Sequence, residues 1–127
     1  MIIIESENIS DEIYRKDTQS FLLEFLEEIE DPENPKKTIV EPIDITGWEV
    51  YYIVKRNLYD PDADALIEKV LTNHFDALKG QTIVELSSDD TDIDDDYYHY
   101  IIYIKTPIGE QKLIAQDNLI IKLRGKE

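Results

Sequence analysis

The residues able to do chemistry crowd into one short stretch. Asp89, Asp90, Asp92, Asp94, Asp95 and Asp96 fall within eight positions, and oxygen-rich loops of this kind bind calcium. Asp92, Asp94 and Asp96 are the candidate metal ligands. The spacing is not that of an EF-hand, because the glycine of the sharp turn and the closing glutamate are missing. A solvated acidic turn is the better reading, and no cofactor is expected. His99 follows among tyrosines, and His74 sits between Asn73 and Phe75. Two isolated histidines do not assemble a nucleophile, a base and an orienting acid. Four glycines in the whole chain leave little room for a phosphate-cradling loop. The expectation is that the chain is not an enzyme.

A second set of candidates is aromatic. The chain has eight tyrosines, and alternation along two strong strands turns Tyr51, Tyr97 and Tyr103 away from the core. An exposed aromatic row can stack on sugar rings, which makes a carbohydrate-binding module, assisted by calcium at the acidic turn, the alternative function. Core and interface packing account for tyrosines equally well.

The elements that carry these residues read as strands. Asp44–Asn57 holds the chain's single tryptophan and a β-branched, aromatic run that favours extended backbone. Period-2 alternation places Trp48, Val50, Tyr52 and Val54 on one face and Glu49, Tyr51, Ile53 and Lys55 on the other. The first face is apolar, so the strand packs on a core on one side, with Trp48 at its centre. Tyr97–Lys105 alternates in the same way, with Tyr98, Tyr100, Ile102 and Ile104 inward. The predicted core is therefore Trp48, Val50, Tyr52, Tyr98 and Tyr100.

Around these two strands, Phe21, Leu23 and Phe25 alternate as a third, although Phe21, Phe25 and Ile29 also fit a helix. Residues 65–72 allow both readings too. Residues 27–44, with Pro32, Pro35 and Pro42, read as a long connecting loop within which Thr38–Val40 extends briefly. Thr82–Leu86 and a return strand bearing Leu119, Ile121 and Leu123 complete the set, joined by a hairpin at Thr106–Glu110. Ile2, Ile3 and Ile4 form an apolar triplet within a 1–13 arm, which either adds to an edge of its own domain or links to a neighbour.

Bulk properties bound the partners. The 127 residues suit one domain, 1–127, large enough for a single core. There is no cysteine, so disulfides and thiolate metal sites are excluded. No apolar run approaches the roughly 20 residues of a membrane helix, and the first residues lack the pattern of a signal peptide. Lys and Arg number 13 against 29 Asp and Glu, a net charge of −16. A field of that sign repels phosphate backbones and anionic lipid, so nucleic acid and membrane are not expected as partners.

About seven antiparallel strands with two dominant aromatic ones point to an all-β sandwich. Asp94, Tyr98 and Tyr100 stand as D-x-x-x-Y-x-Y, which resembles the tyrosine-corner segment of immunoglobulin-like sandwiches. Read with Tyr14–Phe21, Ile43–Trp48, Val50–Lys55, Ala65–Lys69 and Ser88–Thr91, the order resembles the small immunoglobulin-like domain of tailed-phage structural proteins. The N-terminal domain of phage baseplate upper proteins is an example. The likeness covers most of residues 14–123. It implies an immunoglobulin-like fold and a non-catalytic structural protein of a phage or prophage particle, in baseplate, tail, neck or head. Its partners would be other virion proteins or further copies of itself. Its location would be the virion, or the host cytoplasm during assembly. Ile2, Ile3, Ile4, Tyr51, Tyr97 and Tyr103 are the candidate contact residues.

Overall fold

The computed structural model describes residues 2–7 and 12–123. Among the described residues nine strands run in the order β1 (Ile2–Glu7), β2 (Glu12–Tyr14), β3 (Gln19–Glu30), β4 (Thr38–Pro42), β5 (Glu49–Lys55), β6 (Ile67–Leu71), β7 (Gln81–Leu86), β8 (Asp96–Lys105) and β9 (Gln111–Lys122). Two short 3-10 turns, Asp62–Asp64 and Ala77–Lys79, are the only helical pieces among the described residues. The strands form two sheets. One joins β1, β3, β4 and β7; the other runs β2-β9-β8-β5-β6.

The two sheets pack as an all-β sandwich, with β3 central in one and β8 central in the other. All pairings are antiparallel except β2 with β9, which is parallel. Strands outnumber the expected seven because Glu12–Tyr14 pairs with β9 and because the expected loop is partly strand. β1 lies antiparallel on β3 with Ile2 opposite Glu27, so residues 2–7 add to an edge of their own domain. Residues 1 and 8–11 of the predicted arm lie outside the described residues.

The predicted loop 27–44 is corrected in both halves. β3 continues through Glu30, and β4 pairs back onto it with Thr38 opposite Glu30 and Pro42 opposite Leu26. Only residues 31–37 turn, held by the Asp31 N–H on the Lys37 carbonyl at 3.0 Å. β4 is solvated on both faces, so its sequence carries no period-2 signal. The extension of β3 creates it.

β3 is therefore shared on one edge by two strands placed end to end. β4 covers Leu26–Glu30 and β7 covers Gln19–Glu24, while β1 occupies the opposite edge. The handover falls at Phe25, whose N–H donates to the Gly80 carbonyl at 2.8 Å and whose carbonyl accepts from the Ile43 N–H at 2.9 Å. Gly80 has φ +71°, and a Cβ there would sit 2.5 Å from the Phe25 oxygen and 2.7 Å from the Ile43 oxygen. A side chain does not fit at this junction.

Inward faces follow alternation closely. Val50, Tyr52, Val54, Tyr98, Tyr100, Ile102 and Ile104 are buried against Phe21, Leu23, Phe25, Val84, Leu119 and Ile121. The centre is aromatic: Tyr52 stacks on Tyr100 at 5.9 Å and meets the edge of Phe21 at 5.3 Å. Trp48 is not that centre. It precedes β5, is only half-buried, and makes an edge contact with Phe25 at 5.9 Å near one end of the sandwich. Being bulky is not sufficient for central burial; position along the strand decides it. Leu123 is likewise exposed, because β9 stops at Lys122.

Candidate interaction surface

The outer face of the five-stranded sheet carries aromatic and apolar side chains from four strands. Register alone builds it. Tyr51 lies opposite Val70 on β6 and Tyr103 on β8, and Tyr103 lies opposite Leu113 on β9. Val70, Tyr51, Tyr103 and Leu113 therefore form one apolar-aromatic row across four strands. Val70 is 45% and Leu113 59% exposed. The tyrosine rings stack nearly parallel, 4.4 Å between centroids at 5°. Beneath this row, Ile53 and Ile101 form the floor of a groove of about 310 Å³, walled by Asp62, Tyr103, Gln111 and Leu113.

Leu113 reaches this face only because of a β-bulge. Residues 115, 119 and 121 face inward, and uninterrupted alternation would send 113 with them. The β8–β9 register breaks between Ile102 and Tyr103, which pair with Ala115 and Leu113. The extra residue, Ile114, restarts the alternation and turns Leu113 outward.

Carboxylates border the row. The Tyr51 hydroxyl donates to Glu49, and that hydrogen bond, with burial and the Glu49 charge behind it, pushes the phenol up to about 12. Tyr103 is raised by burial first and then by the charges of Asp62 and Glu68. Lys55, expected to be wet, is 6% exposed. The 56–66 loop folds over it, so its ammonium meets the Asp62 carboxylate at 2.6 Å and the Asp60 carbonyl at 2.8 Å. Ile53, on the same expected wet face, is 1% exposed.

Not every residue singled out from the sequence joins this surface. Tyr97 is 73% exposed on the same face of β8, but six residues from Tyr103 and opposite Ile120. Ile2, Ile3 and Ile4 lie opposite Glu27, Leu26 and Phe25 on β3. The acidic turn disperses its charges. Asp90 pairs with Lys69, Asp92 with Arg15 and Asp96 with Arg56, at 2.7, 2.9 and 2.7 Å. The Asp94 carbonyl accepts the Tyr98 hydroxyl at 2.6 Å, which is the hydrogen bond of a tyrosine corner. Among the described residues no group of three His, Asp or Glu side chains is arranged to hold a metal.

The histidines are placed apart. His99 stands opposite Lys55 and Asn118 on the sheet. His74 clamps the opposite side: its Nε2 lies 2.8 Å from the Trp48 carbonyl and its Nδ1 3.0 Å from the Thr82 hydroxyl. The Trp48 carbonyl can only accept, so Nε2 donates to it. Val70 and Leu113 were not singled out from the sequence; the register and the bulge place them in line with the two tyrosines. Compared with protein-family models, curated proteins and solved structures, the chain matches none.

Proposed function

We propose that the protein is a non-catalytic structural protein of a phage or prophage particle, acting through protein–protein contacts on the outer face of its five-stranded sheet. The observation that carries the contact reading is the Val70–Tyr51–Tyr103–Leu113 row, an apolar band left open above a hydrophobic floor. Contiguous exposed apolar surface rimmed by polar groups is characteristic of association sites, where aromatic anchors carry much of the binding energy. The particle setting rests on the resemblance of residues 14–123 to phage immunoglobulin-like domains. Carbohydrate stacking is the weaker alternative. The two rings lie face to face rather than side by side, so they do not form a flat platform for a sugar.

The test uses particles from a phage or prophage whose genome encodes the chain. Mass spectrometry of purified particles should find the protein in a fixed ratio to a tail, neck, baseplate or head component. Leu113→Glu, which puts a charge in the band at a position already exposed, should fold normally and be lost from the particles. Absence of the wild-type chain from particles would overturn the setting. Normal incorporation of Leu113→Glu would overturn the contact face.

A further inference from the structure

Among the described residues the sheet that holds β3 ends at β7, and the outer edge of β7 is open. Its hydrogen-bonding parity can be read directly. Gln81 exchanges both backbone bonds with Asp76, N–H to the Asp76 carbonyl at 2.9 Å and carbonyl from the Asp76 N–H at 3.1 Å. The amide and carbonyl of Gln81 therefore point away from β3. Alternation aims those of Ile83 and Glu85 the same way. Beyond Gln81 no strand of the described residues lies on that edge. Residues 72–80 cross there as a loop with one 3-10 turn.

The space beside that edge is a trough. Two clefts of about 370 and 470 Å³ meet at Glu85. One runs past Ile83 toward Leu71, His74 and Phe75, the other past Leu86 toward Lys69 and Asp90. Phe75 is 66% exposed at the far end. The wall opposite β7 is β6, so a chain laid along β7 would turn alternate side chains toward Leu71 and the rest toward solvent.

We infer that the outer edge of β7 is an acceptor for an extended segment of another protein, one that alternates aliphatic residues with lysine or arginine. Strand addition of this kind uses main-chain hydrogen bonds for affinity and alternate pockets for selectivity. The exposed donors and acceptors of Ile83 and Glu85 provide the first, and the trough provides the second. Charge selects the occupant. Lys69 is already engaged by Asp90 at 2.7 Å, which leaves Glu85 and Asp76 beside the edge in a chain of net charge −16. A second copy would bring the same charge and the same glutamate to the pairing row, where like charges repel. This inference concerns an edge of one sheet, and it stands apart from the contact face on the other.

The test is amide hydrogen exchange by NMR on the full chain. The probe is the peptide acetyl-Lys-Val-Lys-Val-Lys-Val-Lys-amide, with the Glu-for-Lys peptide as its counterpart. In the free protein the Ile83 and Glu85 amides should exchange fast, unlike those of Thr82 and Val84. The lysine peptide at saturation should slow both by tenfold or more, and the glutamate peptide should leave them unchanged. Ile83→Pro removes an outward N–H and no bond to β3; it should abolish the effect while the rest of the spectrum stays native-like. Leu113→Glu should not alter it. Slow exchange at Ile83 and Glu85 in the free protein would mean that the edge is already covered, by a second copy or by the chain itself, and would overturn the inference. So would shifts confined to the β5–β8 outer face, or no response to the lysine peptide at millimolar concentration. The exchange and charge-reversal arms decide the matter even where Ile83→Pro fails to fold.

Discussion

Gly80→Ala tests the junction on which both β4 and β7 depend. Two costs arise, and they separate. The residue sits at φ +71°, where an L side chain costs about 1–2 kcal/mol. The added methyl would also lie 2.5 Å from the Phe25 oxygen and 2.7 Å from the Ile43 oxygen. Neither oxygen is the free end of a flexible side chain; both belong to backbone. Relief requires moving β3 from its edge partners, which strains or breaks the bond between the Phe25 N–H and Gly80 at 2.8 Å and that between the Ile43 N–H and Phe25 at 2.9 Å. Each such bond contributes about 1 kcal/mol net, so the expected loss is about 3–4 kcal/mol. Gly109→Ala is the control. That glycine has φ +88° but nothing within 4 Å of the added Cβ, so only the backbone cost of about 1–2 kcal/mol applies. Urea unfolding followed by fluorescence suits the measurement, since the single tryptophan lies against Phe25. With a slope of about 2 kcal/mol per molar, the Gly80 variant should shift its midpoint by about 1.5–2 M. A Gly80→Ala loss no larger than that of Gly109→Ala would refute the account of the junction.

Two further outcomes follow from the aromatic groups. Tyr98→Phe keeps a ring that is fully buried, with the Arg56 guanidinium 5.3 Å above it, and removes the hydroxyl that bonds the Asp94 carbonyl and interacts with Arg56. The expected loss is about 1 kcal/mol in urea unfolding, and no measurable loss would show that the corner bond is not stabilising. Burial, followed by the nearby Tyr100, holds the Tyr52 phenol well above its ordinary value. A group with a raised folded pKa contributes stability that is present below about pH 10, the unfolded value, and lost as pH rises beyond it. Unfolding midpoints should therefore fall above pH 10. Tyr52→Phe, which retains the ring stack, should flatten that fall; an unchanged alkaline slope would show that Tyr52 is not the group responsible.

The sandwich itself was legible in the sequence because period-2 alternation is a local property of a strand buried on one face. Val50, Tyr52 and Val54 on β5, and Tyr98, Tyr100, Ile102 and Ile104 on β8, declare their inward side without knowledge of any neighbour. The tyrosine corner was legible for the same reason, since Tyr98 and Asp94 are four residues apart. The hairpin at Thr106–Glu110 needed only its proline and glycine.

Tertiary structure decided everything that depends on which strands become neighbours. β4 exists because β3 runs on to Glu30 and offers an edge; its own residues suggest only a brief extension at Thr38–Val40 and no side that faces inward. Lys55 and Ile53 lost their solvent because the 56–66 loop crosses them, a contact that alternation along β5 cannot encode. Trp48 gave up the centre to Tyr52 because it lies before the strand begins. The contact row needed both a register between strands far apart in sequence and a single extra residue at Ile114 to bring Leu113 beside Tyr103. A pattern of period 2 says which side of a strand faces in; register, bulges and covering loops say what that side meets.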